Sequence, residues 1–124
     1  MRLRFRSFRK QGNGHFINTA STAGLKVVPT MAVYAATKAA VRTISEGLRL
    51  EAGPNLRVTV LSPGFTDTDF ASGIADDQVR EQLSTTRDQL AMPPIAVASA
   101  MAYAIEQDHE IDVNELVIRP TAQA

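Results

Sequence analysis

Ser21-Thr22-Ala23-Gly24-Leu25-Lys26-Val27-Val28-Pro29-Thr30-Met31-Ala32-Val33-Tyr34-Ala35-Ala36-Thr37-Lys38 is the stretch on which the fold turns. Ala35, Ala36, Ala39 and Ala40 are strong helix formers, so the segment from Ala32 to about Ala52 reads as the principal helix. Tyr34 and Lys38 are four residues apart, which stacks them on one helix face. An unperturbed phenol titrates near ~10 and is a poor base at neutral pH. A cation roughly 4 Å away, at an effective dielectric of about 20, favours the phenolate by about 4 kcal/mol, or roughly three pK units. Tyr34 with Lys38 is therefore a candidate acid/base device. Ser21, ahead of the helix, offers a hydroxyl able to orient a carbonyl or alcohol oxygen. Taken alone, a tyrosine and a lysine at this spacing are as readily an exposed helix pair.

The flanks add order. The apolar run Phe16-Ile17-Asn18-Thr19-Ala20-Ser21 leads into Ala23-Gly24 and a loop with Pro29. After the helix, Val58-Thr59-Val60-Leu61-Ser62 is a second strand-like run, capped by Pro63-Gly64. This ordered set, over residues 14 to 121, resembles the catalytic half of the short-chain dehydrogenase/reductase family. The resemblance implies that Ser21, Tyr34 and Lys38 act together on a carbonyl or secondary alcohol. It implies that Tyr34, Lys38, Pro63, Gly64, Thr66 and Thr68 contact NAD or NADP, with Lys38 on the nicotinamide ribose. The tail Asp112–Thr121 looks like that of members acting on small hydroxy acids or general carbonyl compounds, which slightly favours NADP. The resemblance further implies a homo-oligomer, built through the alanine-rich helix face.

Composition sets the bounds. The chain has 124 residues, 13 basic and 13 acidic, and is 44% hydrophobic, as expected of one globular domain. Neutral charge gives no general attraction to nucleic acid or membranes, and no apolar run approaches the ~20 residues that span a bilayer. Without cysteine there are no disulfides or thiolate zinc sites, which fits a cytoplasmic protein. A doubly wound dehydrogenase has two mononucleotide-binding halves, and 124 residues hold one. The Gly12-Asn13-Gly14 turn precedes a strand instead of following one, so the glycine-rich phosphate turn has no counterpart. The chain reads as truncated on that ground, and as inactive by itself.

Two segments follow: a basic start over 1–13, and the catalytic half over 14–124. Residues 1 to 11 hold five of the thirteen basic residues and no acid. Such a start suits a targeting or nucleic-acid arm, or a junction where a helix ends before the next strand. The strands expected are His15–Ala20, Arg57–Ser62 and Glu115–Ile118. Val33, Val41, Ile44 and Leu48 give the principal helix an apolar stripe. Asp76-Asp77 cap a helix reaching Leu83 or beyond, within a variable segment Phe70–Pro94 where the family keeps its substrate lid. Ile95–Gln107 reads as another helix.

Strand and helix alternation predicts an α/β fold, a partial doubly wound Rossmann-like sheet of about three parallel strands, with the first strand's edge uncovered. His15 and Asn18 read as structural, Asn18 bonded to backbone. Asp67 and Asp69 read as loop acids and a helix cap, and Asp108–Asp112 as a solvated loop, so no metal site is expected. The competing class is a non-catalytic module that pairs with a complete homologue. Cofactor binding separates the two.

Overall fold

The computed structural model describes residues 2–123, and of residues 2–5 the backbone only. The side chains of Arg2 and Arg4 in the basic start lie outside the described residues. Helix α1 (Arg2–Gln11) leads to strand β1 (Gly14–Thr19), then helix α2 (Ala32–Ala52) and strand β2 (Leu56–Pro63). Helices α3 (Asp77–Leu90) and α4 (Pro94–Glu106) follow, and strand β3 (Glu115–Ile118) closes the order. Single 3-10 turns sit at Thr22–Gly24 and Asp69–Gly73.

The sheet runs β1-β2-β3 and is parallel throughout. Phe16 lies opposite Val58, and Leu61 opposite Leu116. Parallel neighbours need long crossovers, which α2 supplies between β1 and β2, and α3 with α4 between β2 and β3. The central strand β2 is an apolar run covered on both faces, as a parallel sheet requires. Leu61, Val58, Thr59 and Ser62 are almost fully buried. On the α2 side, Leu48 and Ala52 close over Leu56 and Val58, with Phe8 and Phe16 completing the cluster. Each such aliphatic side chain, once buried, contributes about 1.5–3 kcal/mol. The basic start thus belongs to α1, anchored by the edge-on contact of Phe8 with Phe16 at 5.0 Å.

Four expectations need correction. Helix α2 turns Ala35, Ser45, Leu48 and Ala52 inward, with Val41 half-buried. Val33 and Ile44 lie on its flank, 82% and 54% exposed. Leu48 matches the expected stripe; the rest of the inner face was hidden because Ala35, Ser45 and Ala52 are small or polar. Asn18 bonds a side chain, not backbone: Nδ2 donates to Ser45 Oγ at 2.9 Å, and Ser45 Oγ donates to Val41 O. The cap before Asp69–Gly73 is Thr68 and not an aspartate. Asp112 is half-buried and not simply a solvated loop acid, for its carboxylate accepts the Val58 N–H at 3.0 Å. That bond extends the β2–β3 ladder one step before β3 begins.

At the opposite end of the sheet from the cleft described below, Arg57 caps α4. Its guanidinium donates to the carbonyls of Ala104, Ile105 and Gln107 at 2.9–3.2 Å. These are the last-turn acceptors that a helix leaves without partners. His15 lies nearby. Thr59 Oγ1 gives its one proton to Val113 O, so it accepts from His15 Nε2 at 2.8 Å. His15 Nδ1 is then a buried acceptor without a partner among the described residues.

Candidate active site

The site forms where β1 and β2 end, as in open parallel sheets generally. Ala20 continues β1's pairing through a bond from its N–H to Leu61 O, and Ser21 is the next residue. Ser21 Oγ accepts the Ala23 N–H at 3.1 Å and starts the Thr22–Gly24 turn. Gly24 lets that turn lie against α2. A side chain there would come within 2.9 Å of the Lys38 carbonyl carbon, so any other residue would push the Ser21 loop away.

The first turns of α2 carry Tyr34 and Lys38. Lys38 Nζ lies over the Tyr34 ring, 5.7 Å from its centroid, a cation–π placement. It also donates to Thr19 O at 3.3 Å, which ties the ammonium to the end of β1. The Tyr34 ring also meets Phe70, with centroids 5.1 Å apart and planes at 54°. Ser21, Tyr34, Lys38, Pro63, Gly64, Thr66 and Thr68 all line one cleft of about 570 Å³. Its remaining walls are largely apolar.

The loop after β2 has an orderly bond pattern. Gly64 N–H donates to Ile118 O at 2.7 Å, and Phe65 N–H to Gln123 Oε1 at 2.9 Å. Phe65 O accepts from Met92 N–H, and Met92 O from Asp67 N–H, which makes a short parallel bridge of Thr66 with Met92. Thr66 Oγ1 donates to Gly64 O at 3.0 Å. The Thr66 N–H alone of amides 64–67 has no partner among the described residues. Thr66 itself lines the cleft.

Reasoning from sequence missed Phe70 and Gln123. Phe70 sits in the variable segment, where no periodicity marks it. Gln123 reaches the site from the far end of the chain, 101 positions from Thr22. A second cleft of about 540 Å³ lies along the later turns of α2. Its charged groups are already matched, Arg42 with Glu115 and Arg49 with Glu46. Among the described residues no group of three or more His, Cys, Asp or Glu could hold a metal ion. None of the described helices is long and apolar enough to cross a membrane.

Residues 1–79 match the family model of the short chain dehydrogenases. The chain belongs to that family. An uncharacterized oxidoreductase of Staphylococcus saprophyticus subsp. saprophyticus is 45% identical over 119 residues, covering 94% of this chain and 48% of the relative. One of Listeria monocytogenes is 40% identical over 120 residues, with the same shares. The chain thus spans about half the length of the curated relatives it matches. Among solved structures, the closed form of a serine dehydrogenase complexed with NADP+ superposes with a TM-score of 0.84 at 30% identity. The match covers 94% of this chain and 48% of that one. A serine dehydrogenase from Escherichia coli gives a TM-score of 0.78 at 26% identity, covering 99% and 47%. The family's fold accounts for the three parallel strands and for a cleft at their carboxyl ends.

Proposed function

We propose that the chain carries the substrate and nicotinamide end of a short-chain dehydrogenase site, serving reversible reduction of a carbonyl to a secondary alcohol. One observation carries this reading. Ser21, the Tyr34–Lys38 pair and Thr66 converge on a single cleft from three separate places in the chain.

The residues suit a nicotinamide nucleotide. The open amide at Thr66 matches a carboxamide oxygen, and Lys38 beside the Thr19 carbonyl matches ribose hydroxyls. Tyr34, Pro63, Gly64 and Thr68 complete the contacts. When bound, the reduced nicotinamide supplies the hydride that reaches the carbonyl carbon. The protein's own part is the proton. Tyr34 donates it to the carbonyl oxygen during reduction and takes it from the alcohol during oxidation. Ser21 holds that oxygen. Lys38 keeps positive charge beside the ring as the phenolate forms. The NADP+ complex of the serine dehydrogenase supports NADP over NAD. The cysteine-free composition supports a cytoplasmic location.

These 124 residues hold no glycine-rich turn between a strand and a following helix, the element that grips a pyrophosphate. Positioning is worth roughly 7–11 kcal/mol in such reactions, so the polypeptide of these residues alone is expected to bind NADPH weakly and turn over nothing measurable. Calorimetry with NADH and NADPH, followed by a carbonyl reductase assay, checks this. Fusion to the glycine-turn half of a relative should restore NADPH-dependent reduction. A fused protein that binds NADPH yet reduces no carbonyl compound would remove the reading.

A second reading rests on the position of β1 at the end of the sheet order and on the outward apolar residues of α2. In it the chain is a non-catalytic module that joins a complete homologue. Co-purification with such a homologue, without cofactor binding in the complexed chain, would favour it.

A further inference from the structure

Resting on the nicotinamide reading above, we propose that Gln123 is a positioning residue for the cofactor. Its amide fixes the Gly64–Phe65 peptide against the Ser21 loop, leaving the Thr66 N–H as the donor open to the nicotinamide. Gln123 Oε1 accepts the Phe65 N–H at 2.9 Å. Its Nε2 donates to Thr22 Oγ1 at 3.4 Å, a long bond to the residue beside Ser21. The turn that brings it there is closed by its own N–H on Pro120 O at 2.9 Å.

Gly64 is the complement of this clamp. A side chain at 64 would overlap Gln123 Oε1 and come within 2.8 Å of Arg119 Cβ. Glycine at this position therefore lets the tail lie over the loop. A carboxamide accepts at one end and donates at the other, which suits a backbone N–H on one loop and a hydroxyl on the next. Without it, the half-buried Phe65 N–H is left seeking an acceptor in the same cleft. Two adjacent amides would then compete for one ligand oxygen, and the loop would lose its single orientation.

The test uses the fused protein described above, labelled with nitrogen-15. In Gln123→Leu, hydrogen exchange at the Phe65 amide should speed up about tenfold, while the Val60 and Gly64 ladder amides keep their rates. Gln123→Glu retains the acceptor and should hold Phe65 near the parent rate. Titration with reduced nicotinamide mononucleotide, which needs no pyrophosphate grip, should shift the Thr66 amide. Half-saturation should need about fivefold more ligand in Gln123→Leu than in the parent, and Gln123→Glu should restore it. Unchanged Phe65 exchange in Gln123→Leu, or equal acceleration at all three amides, would overturn the clamp. A parent chain whose Thr66 amide ignores the mononucleotide would instead overturn the cofactor role, with the exchange pattern still deciding the clamp.

Discussion

Tyr34 is held by contacts that its ring makes without its hydroxyl. Phe70 meets the ring at 5.1 Å and Lys38 lies over it at 5.7 Å. Tyr34→Phe keeps both contacts and removes the proton donor alone. In the fused protein described above, turnover should drop by about 10²–10⁴-fold with the melting temperature unchanged. Turnover near the parent level would remove Tyr34 from the chemistry. His15 gives a second test at this scale. Burial, and then the Arg57 cation, hold its imidazole below the ordinary value of 6.5, against a smaller opposing pull from Asp112. The folded chain therefore keeps His15 neutral where the unfolded chain takes up a proton. The unfolded state binds more protons below 6.5, so this contribution to stability is present above that pH. It is lost as the pH falls from 6.5 through the lowered folded value. Urea midpoints measured from pH 7.5 down to pH 5 should decline more in the parent than in His15→Gln. Parallel declines in the two would refute the assignment.

At the scale of elements, the fold is pinned by side chains that finish backbone ladders. Arg57 holds the end of α4 through three carbonyls, and Asp112 serves β2 where β3 has not yet started. Arg57→Gln should cost about 1.5–3 kcal/mol, the range for bonds to a charged group, and should loosen α4 first. Denaturant melts with exchange measured at the last turn of α4 check this. A loss confined to β1 would mean that Arg57 acts mainly through His15. Helix α3 contrasts with α4. It buries no residue and depends on its cap, with Asp76 Oδ1 accepting from Gln78 and Val79 at 3.0 and 3.1 Å. Its tether to the site loop is the Asp67–Arg87 ion pair at 3.9 Å and the Met92 bridge. Exposed pairs of this kind contribute little, so α3 is the element freest to shift.

For the whole molecule, the edge of β1 is the dominant fact. β1 pairs with β2 on one side, and the sheet order puts its other side at an edge. Val33, Leu50 and Ile95 are 82%, 69% and 68% exposed, and among the described residues half of the buried hydrophobic ones are alanines. A strand at the edge of a sheet, in a molecule with exposed apolar side chains, invites another chain. The isolated polypeptide should dimerise, aggregate or pack loosely across micromolar to millimolar concentration. Sedimentation with thermal melts tests this, and a monomer unfolding in one sharp transition would contradict it.

The order of strands and helices was legible because it is written in local patterns. Alanine density marked α2, the apolar run marked β2, and Glu115–Ile118 stood out after a polar loop. Spacing along one helix placed Tyr34 above Lys38, and motif order placed Pro63-Gly64 at the end of a strand. Those features depend on residues a few positions apart, so sequence by itself determined them. Of the inward face of α2 only Leu48 was legible, since Ala35 and Ser45 carry no hydrophobic signal and are buried by what lies opposite them. Asp112 and Arg57 look like solvated charges until the ladder and the helix end they complete come into contact with them. Gln123 is the extreme case. Its partners are Phe65 and Thr22, and no pattern in the chain links positions 101 residues apart. Only folding the sheet brings the tail over Gly64, because side-chain bonds of that range are set by where strands end in space and not by neighbours in sequence.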